Sequence, residues 1–156
     1  MMSTEHSVTH ATFVIERTYP ASTARVFNAF ADPAIKARWF GNDEMPKMHH
    51  ELDFRVGGRE INRGGPPDGP TYTFEARYED IVPQERIVTS YVMYLGDERI
   101  SVSVATVELQ SQASGTRLVY TEQGAFLDGY DNPAQREEGT RELLDALGVE
   151  LSRSAS

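Results

Sequence analysis

The stretch TYTFEARYEDIVPQERIVTSYVMY, Thr71 to Tyr94, decides the architecture. In its first half Tyr72, Phe74, Ala76 and Tyr78 alternate with Thr71, Thr73, Glu75 and Arg77. Successive side chains of a strand point to opposite faces, so a period of two reads as a half-buried β-strand. Pro83-Gln84 supplies a turn. From Arg86 to Tyr94 the alternation resumes, with Ile87, Thr89, Tyr91 and Met93 opposite Val88, Ser90, Val92 and Tyr94. Two such runs across a tight turn make an antiparallel pair.

Downstream, Gly96-Asp97 turns into a strand carrying Ile100, Val102 and Val104 on one side against Ser101 and Ser103. The alternation slips at Thr106-Val107, which predicts a bulge there. Ser114-Gly115 turns into a strand over Thr116 to Gln123, and Gly124 to Asp131 mixes apolar residues with Gly129 as a lid over a cavity would. Asn132-Pro133 is a helix start, an N-cap followed by proline at the first helical position. Leu143, Leu144, Leu147 and Leu151 then give that helix one apolar face. Gly139 inside it costs about 1 kcal/mol against alanine, which predicts close approach by another element.

Upstream, Thr9 to Tyr19 alternates as a strand until Pro20. Ser22 or Thr23 caps a short helix with Val26, Phe27, Ala29 and Phe30 on one side. Asp32-Pro33 starts a second one, ending near Trp39-Phe40-Gly41. Asn42 to Lys47 reads as a loop, Glu51 to Arg55 as a brief strand, and Gly57-Gly58 as a turn into Arg59 to Arg63. Gly64 to Pro70 is a loop by composition. The order predicts an α+β fold: a curved antiparallel sheet of about six or seven strands wrapped around a long C-terminal helix, with two short helices after the first strand. Curvature leaves a gap beneath the helix, and a gap of that kind is where a ligand would sit.

Composition narrows the function. The chain has 156 residues, 39% hydrophobic and 25% charged, as expected for one globular domain. Its 24 acidic and 15 basic residues give a formal charge of −9. Nucleic-acid binders draw most of their affinity from a basic face, and the arginines here are scattered, so nucleic-acid and anionic-membrane partners are not expected. No apolar run reaches the roughly 20 residues of a membrane span. The polar start, Met1 to His10, lacks the apolar centre of a signal peptide, so a cytoplasmic location is the default expectation. Without cysteine there is no disulfide framework and no thiolate chemistry.

Several phrases, in order, resemble the START-like domains of the activator of Hsp90 ATPase homologue family. They are Phe13-Val14-Ile15-Glu16-Arg17 with Pro20-Ala21-Ser22, then Arg25 to Phe30, Asp32-Pro33 and Trp39-Phe40-Gly41. Asp53 to Arg59 resembles the family's double-glycine turn, Tyr78 to Val88 its proline-centred segment, and Gly115-Thr116-Arg117-Leu118 a further match. The resemblance spans roughly residues 9 to 151 and implies the helix-grip fold, in agreement with the strand and helix order. The family often carries Gly-Trp at the start of its last helix, whereas here Gly139 precedes Thr140. The missing bulky side chain implies a wider or differently shaped pocket at that end.

Candidate ligand contacts follow from the inward faces. One of Trp39 and Phe40 closes the sheet against the short helices and the other faces the cavity; the sequence does not say which. Tyr72 and Tyr91 offer hydroxyls that need partners when buried, while Phe74 and Met93 form wall. Phe54, Val104, Phe126, Thr140 and Leu144 complete the expected lining. His49-His50-Glu51 suggests a metal or a base, yet no spaced third ligand is present, and adjacent strand residues face opposite ways. Neither a metal nor a cofactor is expected. Glu122 shares a face with Tyr120, and if buried it needs a cation such as Arg17 or Arg55. No phosphate-binding glycine loop occurs.

The leading expectation is a binding protein for a hydrophobic or aromatic, lipid-like small molecule. The alternative is a cyclase- or hydrolase-type enzyme of the kind known among relatives of this fold, with Glu122, His49 and Tyr91 as acid–base candidates. Hsp90 co-chaperone activity is suggested only by the family's label. The eukaryotic activators add an N-terminal domain that contributes to Hsp90 contact, for which this length leaves no room. Edge strands in a meander invite pairing, so a homodimer is a further expectation.

Overall fold

The computed structural model describes residues 6–41 and 47–153. The loop expected over Asn42 to Lys47 lies outside them, except Lys47, which opens a strand. Among the described residues the elements run β1 (Val8–Tyr19), α1 (Thr23–Ala31), α2 (Pro33–Trp39), β2 (Lys47–Leu52), β3 (Arg59–Gly64), β4 (Tyr72–Val82), β5 (Arg86–Leu95), β6 (Glu98–Gln112), β7 (Gly115–Leu127) and α3 (Pro133–Arg153). One sheet of seven strands has the order β1-β7-β6-β5-β4-β3-β2. Every neighbouring pair in it is antiparallel. The chain therefore begins at one edge, crosses through α1 and α2 to the other, and returns strand by strand. This is the helix-grip architecture expected from the order of elements.

The helix starts follow their capping residues. Ser22 Oγ accepts the Arg25 N–H at 3.2 Å, and Asp32 Oδ1 accepts those of Ala34 and Ile35 at 2.9 and 3.1 Å. Asn132 Oδ1 accepts the Ala134 N–H at 2.8 Å. Each contact satisfies N–H groups that the first turn leaves without helical partners. The double glycine makes the β2–β3 turn. Gly57 has φ +82°, and a Cβ at Gly58 would lie 2.1 Å from the Asp53 carbonyl oxygen.

Three boundaries differ from the sequence expectation. The strand placed at Glu51 to Arg55 is β2, ending at Leu52 before that turn. The lid placed at Gly124 to Asp131 is strand as far as Leu127, paired to β1 on one side and β6 on the other. The register shift in β6 lies opposite Met93/Tyr94, near Ile100, rather than at Thr106-Val107. From there inward, Ser101, Ser103, Ala105, Val107 and Leu109 face the helix side, while Val102 and Val104 are 42% and 39% exposed on the outer face. Val104 is therefore not a cavity residue: the early bulge exchanges the two faces.

The helix α3 docks through the C-terminal part of its apolar stripe. Leu144, Leu147 and Leu151 are buried in the main core with Ile15, Val26 and Leu118. The Tyr19 hydroxyl donates to the Leu144 carbonyl at 2.7 Å, and a Cβ on Gly148 would meet the Tyr19 ring at 3.2 Å. Arg25 reaches the Leu151 carbonyl at 2.6 Å and Arg38 reaches Glu150 at 3.1 Å. The close approach predicted at Gly139 thus occurs at Gly148, while a Cβ on Gly139 would meet nothing within 4 Å. Gly139→Ala should accordingly stabilise the chain by up to about 1 kcal/mol in urea unfolding, and Gly148→Ala should gain less or lose. Equal gains for both would contradict this docking.

Candidate functional site

The concave floor of the sheet is lined by small residues between larger walls. Register places Glu60, Ala76, Tyr91, Ser103 and Gly124 in one row across β3, β4, β5, β6 and β7. The next row inward holds Tyr78, Thr89, Ala105 and Glu122. Alanine, serine and glycine cannot reach the overlying helix, and Gly139 and Thr140 above are small as well. Between them lies a cavity of about 750 Å³. Phe30, Phe40, Phe74, Ile87, Met93, Val107 and Leu143 supply its apolar surface, and Gln135 and Glu142 lie on the α3 side.

Each flank of this cavity holds a buried carboxylate. On the β3 side, Glu60 is 0% exposed. Its Oε1 accepts from Lys36 Nζ at 2.6 Å and from the Tyr78 hydroxyl at 2.7 Å, and its Oε2 lies 2.9 Å from His50 Nε2. The ammonium also sits 4.3 Å from the Phe40 ring centre. Burial works to raise the Glu60 pKa, but the Lys36 charge and the hydrogen bonds from His50, Lys36 and Tyr78 outweigh it, holding the carboxyl down to about 2. The Tyr78 hydroxyl is pushed far up by burial and by Glu60.

On the β7 side, Glu122 is 1% exposed. The Tyr91 and Tyr120 hydroxyls donate to its two oxygens at 2.6 and 2.7 Å. Arg136, from the first turns of α3, lies 3.6 Å away and also donates to the Tyr91 oxygen and to Ser101 Oγ, each at 2.9 Å. The same guanidinium pairs with Asp131 and lies 5.2 Å from the Phe126 ring centre. Burial and then Glu122 raise the pKa of both Tyr91 and Tyr120.

The structure sorts the sequence candidates. Phe40, Tyr72, Phe74, Tyr91, Met93 and Thr140 line the cavity. Trp39 is the plug: it packs edge-on against Phe30 and Phe40 and donates to the Ala29 carbonyl at 3.0 Å. Phe54 packs edge-on against Phe27 and Tyr78 in the core. Leu144 and Phe126 are each 2% exposed and outside the lining, with Leu143 taking the place expected of Leu144. His49 pairs with its neighbour Glu51 on the solvent side, and it is His50 that turns inward. Arg17 and Arg55 pair with Asp145 and Asp53, leaving Arg136 as the cation beside Glu122. No three His, Asp or Glu side chains cluster as a metal site among the described residues.

Lys36, Glu60 and Arg136 escaped the sequence reading. For Lys36 a signal existed: it stands three residues before Trp39 and four before Phe40, so it shares their buried helix face. Glu60 gave the opposite signal, because Ile61 beside it is the residue a hydrophobic pattern turns inward.

The chain was compared with known proteins. A family model described as "Activator of Hsp90 ATPase homolog 1-like protein" matches residues 20–152. A structure of a Rhizobium leguminosarum protein is 44% identical, with TM-score 0.92, covering 96% of this chain and 99% of that one. A Rhizobium loti protein is 52% identical, with TM-score 0.86, over 92% and 99%. A Chromobacterium violaceum protein is 26% identical, with TM-score 0.77, over 90% and 96%. No match was found among curated proteins.

The Glu60 network makes a measurable contribution. Glu60→Gln leaves the buried Lys36 ammonium without its counter-charge and should cost about 3–5 kcal/mol. Because the Glu60 carboxyl ionises lower when folded than its ordinary 4.5, its contribution is present above that pH and fades as pH falls towards 2. Between those values the wild type should lose stability more steeply than Glu60→Gln in acid titrations of urea unfolding. Parallel pH curves would contradict the pairing.

Proposed function

The chain belongs to the activator of Hsp90 ATPase homolog 1-like family, and we propose that it is a binding protein for a hydrophobic small molecule held between the sheet and α3. The observation that carries this reading is the cavity itself. Its volume of about 750 Å³ falls within the roughly 300–1,000 Å³ of ligand pockets. Its walls are mainly aromatic and aliphatic, and the polar side chains Glu60, Tyr78, Tyr91, Tyr120 and Arg136 are fixed by hydrogen bonds. Phe40, Phe74, Tyr91 and Met93 would grip the apolar body of the ligand from the sheet, with Thr140 and Leu143 above it.

A second reading is proton-transfer catalysis. It is favoured by the Tyr91 hydroxyl, which faces the cavity and donates to Glu122 at 2.6 Å. Burial and Glu122 both push the Tyr91 pKa up, which makes that hydroxyl a reluctant acid near neutral pH. Binding therefore ranks first.

A neutral fluorescent probe, N-phenyl-1-naphthylamine, tests the reading. The wild type should bind it with a blue-shifted emission. Gly139→Phe, at a lining position where a Cβ would meet nothing within 4 Å, should weaken binding by about tenfold or more, the scale on which filling an apolar pocket acts, without unfolding the chain. Unchanged affinity in Gly139→Phe would remove the cavity as the site.

A further inference from the structure

Resting on that reading, we infer that the ligand carries no acidic group and enters as a hydrogen-bond donor, a hydrophobic amine or alcohol rather than a fatty acid or other carboxylate. Two observations carry this: where the hydroxyl protons go, and how the buried charges count.

Phenol and alcohol groups each have one proton to give. The Tyr78 proton goes to Glu60, and those of Tyr91 and Tyr120 go to Glu122. The Thr140 proton goes to the Arg136 carbonyl at 2.9 Å. All four residues line the cavity, and with their protons used their oxygens can only accept, as those of Tyr91 and Tyr78 already do from Arg136 and Lys36. Thr89 and Gln135, also in the lining, can each donate or accept. The two cations are each anchored to a wall. Lys36 is held by Glu60 and Tyr78, and both terminal nitrogens of Arg136 reach Tyr91, Ser101 or Asp131. The hydroxyls of the walls thus offer a ligand acceptors rather than donors.

The charges point the same way. Two cations, Lys36 and Arg136, pair with three carboxylates, Glu60, Glu122 and Asp131, and Glu142 stands exposed at the α3 edge of the cavity. His50 touches only Glu60 among these. A carboxylate ligand would meet more negative than positive charge in a partly buried site, where like charges interact more strongly than in bulk solvent. An ammonium would meet the reverse, and an alcohol would meet neither penalty.

Displacement of N-phenyl-1-naphthylamine by three molecules of one skeleton, biphenylmethylamine, biphenylmethanol and biphenylcarboxylate, tests this at neutral pH. The amine and the alcohol should each displace the probe at concentrations at least about tenfold below those the carboxylate needs. In Glu122→Gln, which removes one negative charge beside Arg136, the carboxylate should gain on the amine. The ratio within one variant is read, so a loss of overall stability does not mask it. A wild type that takes the carboxylate as readily as the alcohol, an unchanged ratio in Glu122→Gln, or failure of all three to displace a probe that does bind would each overturn the inference while leaving the cavity reading in place. Failure of the probe itself to bind would remove the cavity reading and this inference with it.

Discussion

Everything distinctive in this molecule depends on the way α3 is held to the sheet: tightly at its C-terminal part and by polar struts nearer its start. Leu144, Leu147 and Leu151 are buried against β1 and the two short helices, and Tyr19 fastens the Leu144 carbonyl. Gly148 lets that ring come close. Nearer the N-terminus the helix carries Gly139 and Thr140 where larger side chains would close the gap. There Arg136 bridges to Tyr91 and Ser101 on the sheet. A helix packed along its whole length would bury more apolar surface and leave no cavity.

That arrangement places ionised groups in the interior, and their cost explains the shape of the two networks. A buried carboxylate without a partner is strongly destabilising. Glu60 and Glu122 are each surrounded by donors drawn from separate elements, so each network also stitches the fold together. Lys36 ties α2 to β3 and β4, and Arg136 ties α3 to β5 and β6. The cavity lies between them, with the polar groups of both networks already oriented. A ligand would therefore meet a preformed surface and need to order little on entry.

Much of the fold was legible because local signals agreed with one another. The Tyr72 to Tyr78 and Ile87 to Met93 alternations, the Asp32-Pro33 and Asn132-Pro133 caps and the leucine stripe each gave the observed element. The cavity was harder to read, since its design inverts the hydrophobic pattern. In β6 the serines face inward and Val102 and Val104 outward, and in β3 Glu60 is buried more deeply than Ile61. A reading that sends apolar residues inside misplaces such strands. Tyr91 and Phe74 line the cavity as their size and period suggest, and Thr140, marked only by its departure from the family's Gly-Trp, lines it too. Lys36 and Arg136 come from elements distant in sequence from the carboxylates they meet, and a linear pattern holds no record of those pairings.

The central claim is that the space between β4, β5 and the start of α3 is the part of this molecule that receives a ligand. Nuclear magnetic resonance titration with N-phenyl-1-naphthylamine, following backbone and methyl signals, addresses it most directly. Shifts concentrated at Phe74, Tyr91, Met93, Ala105, Gly139 and Leu143 are the predicted result. Shifts centred on the outer-face residues Val14, Val102 and Val104, or no shifts at saturating probe, would contradict it.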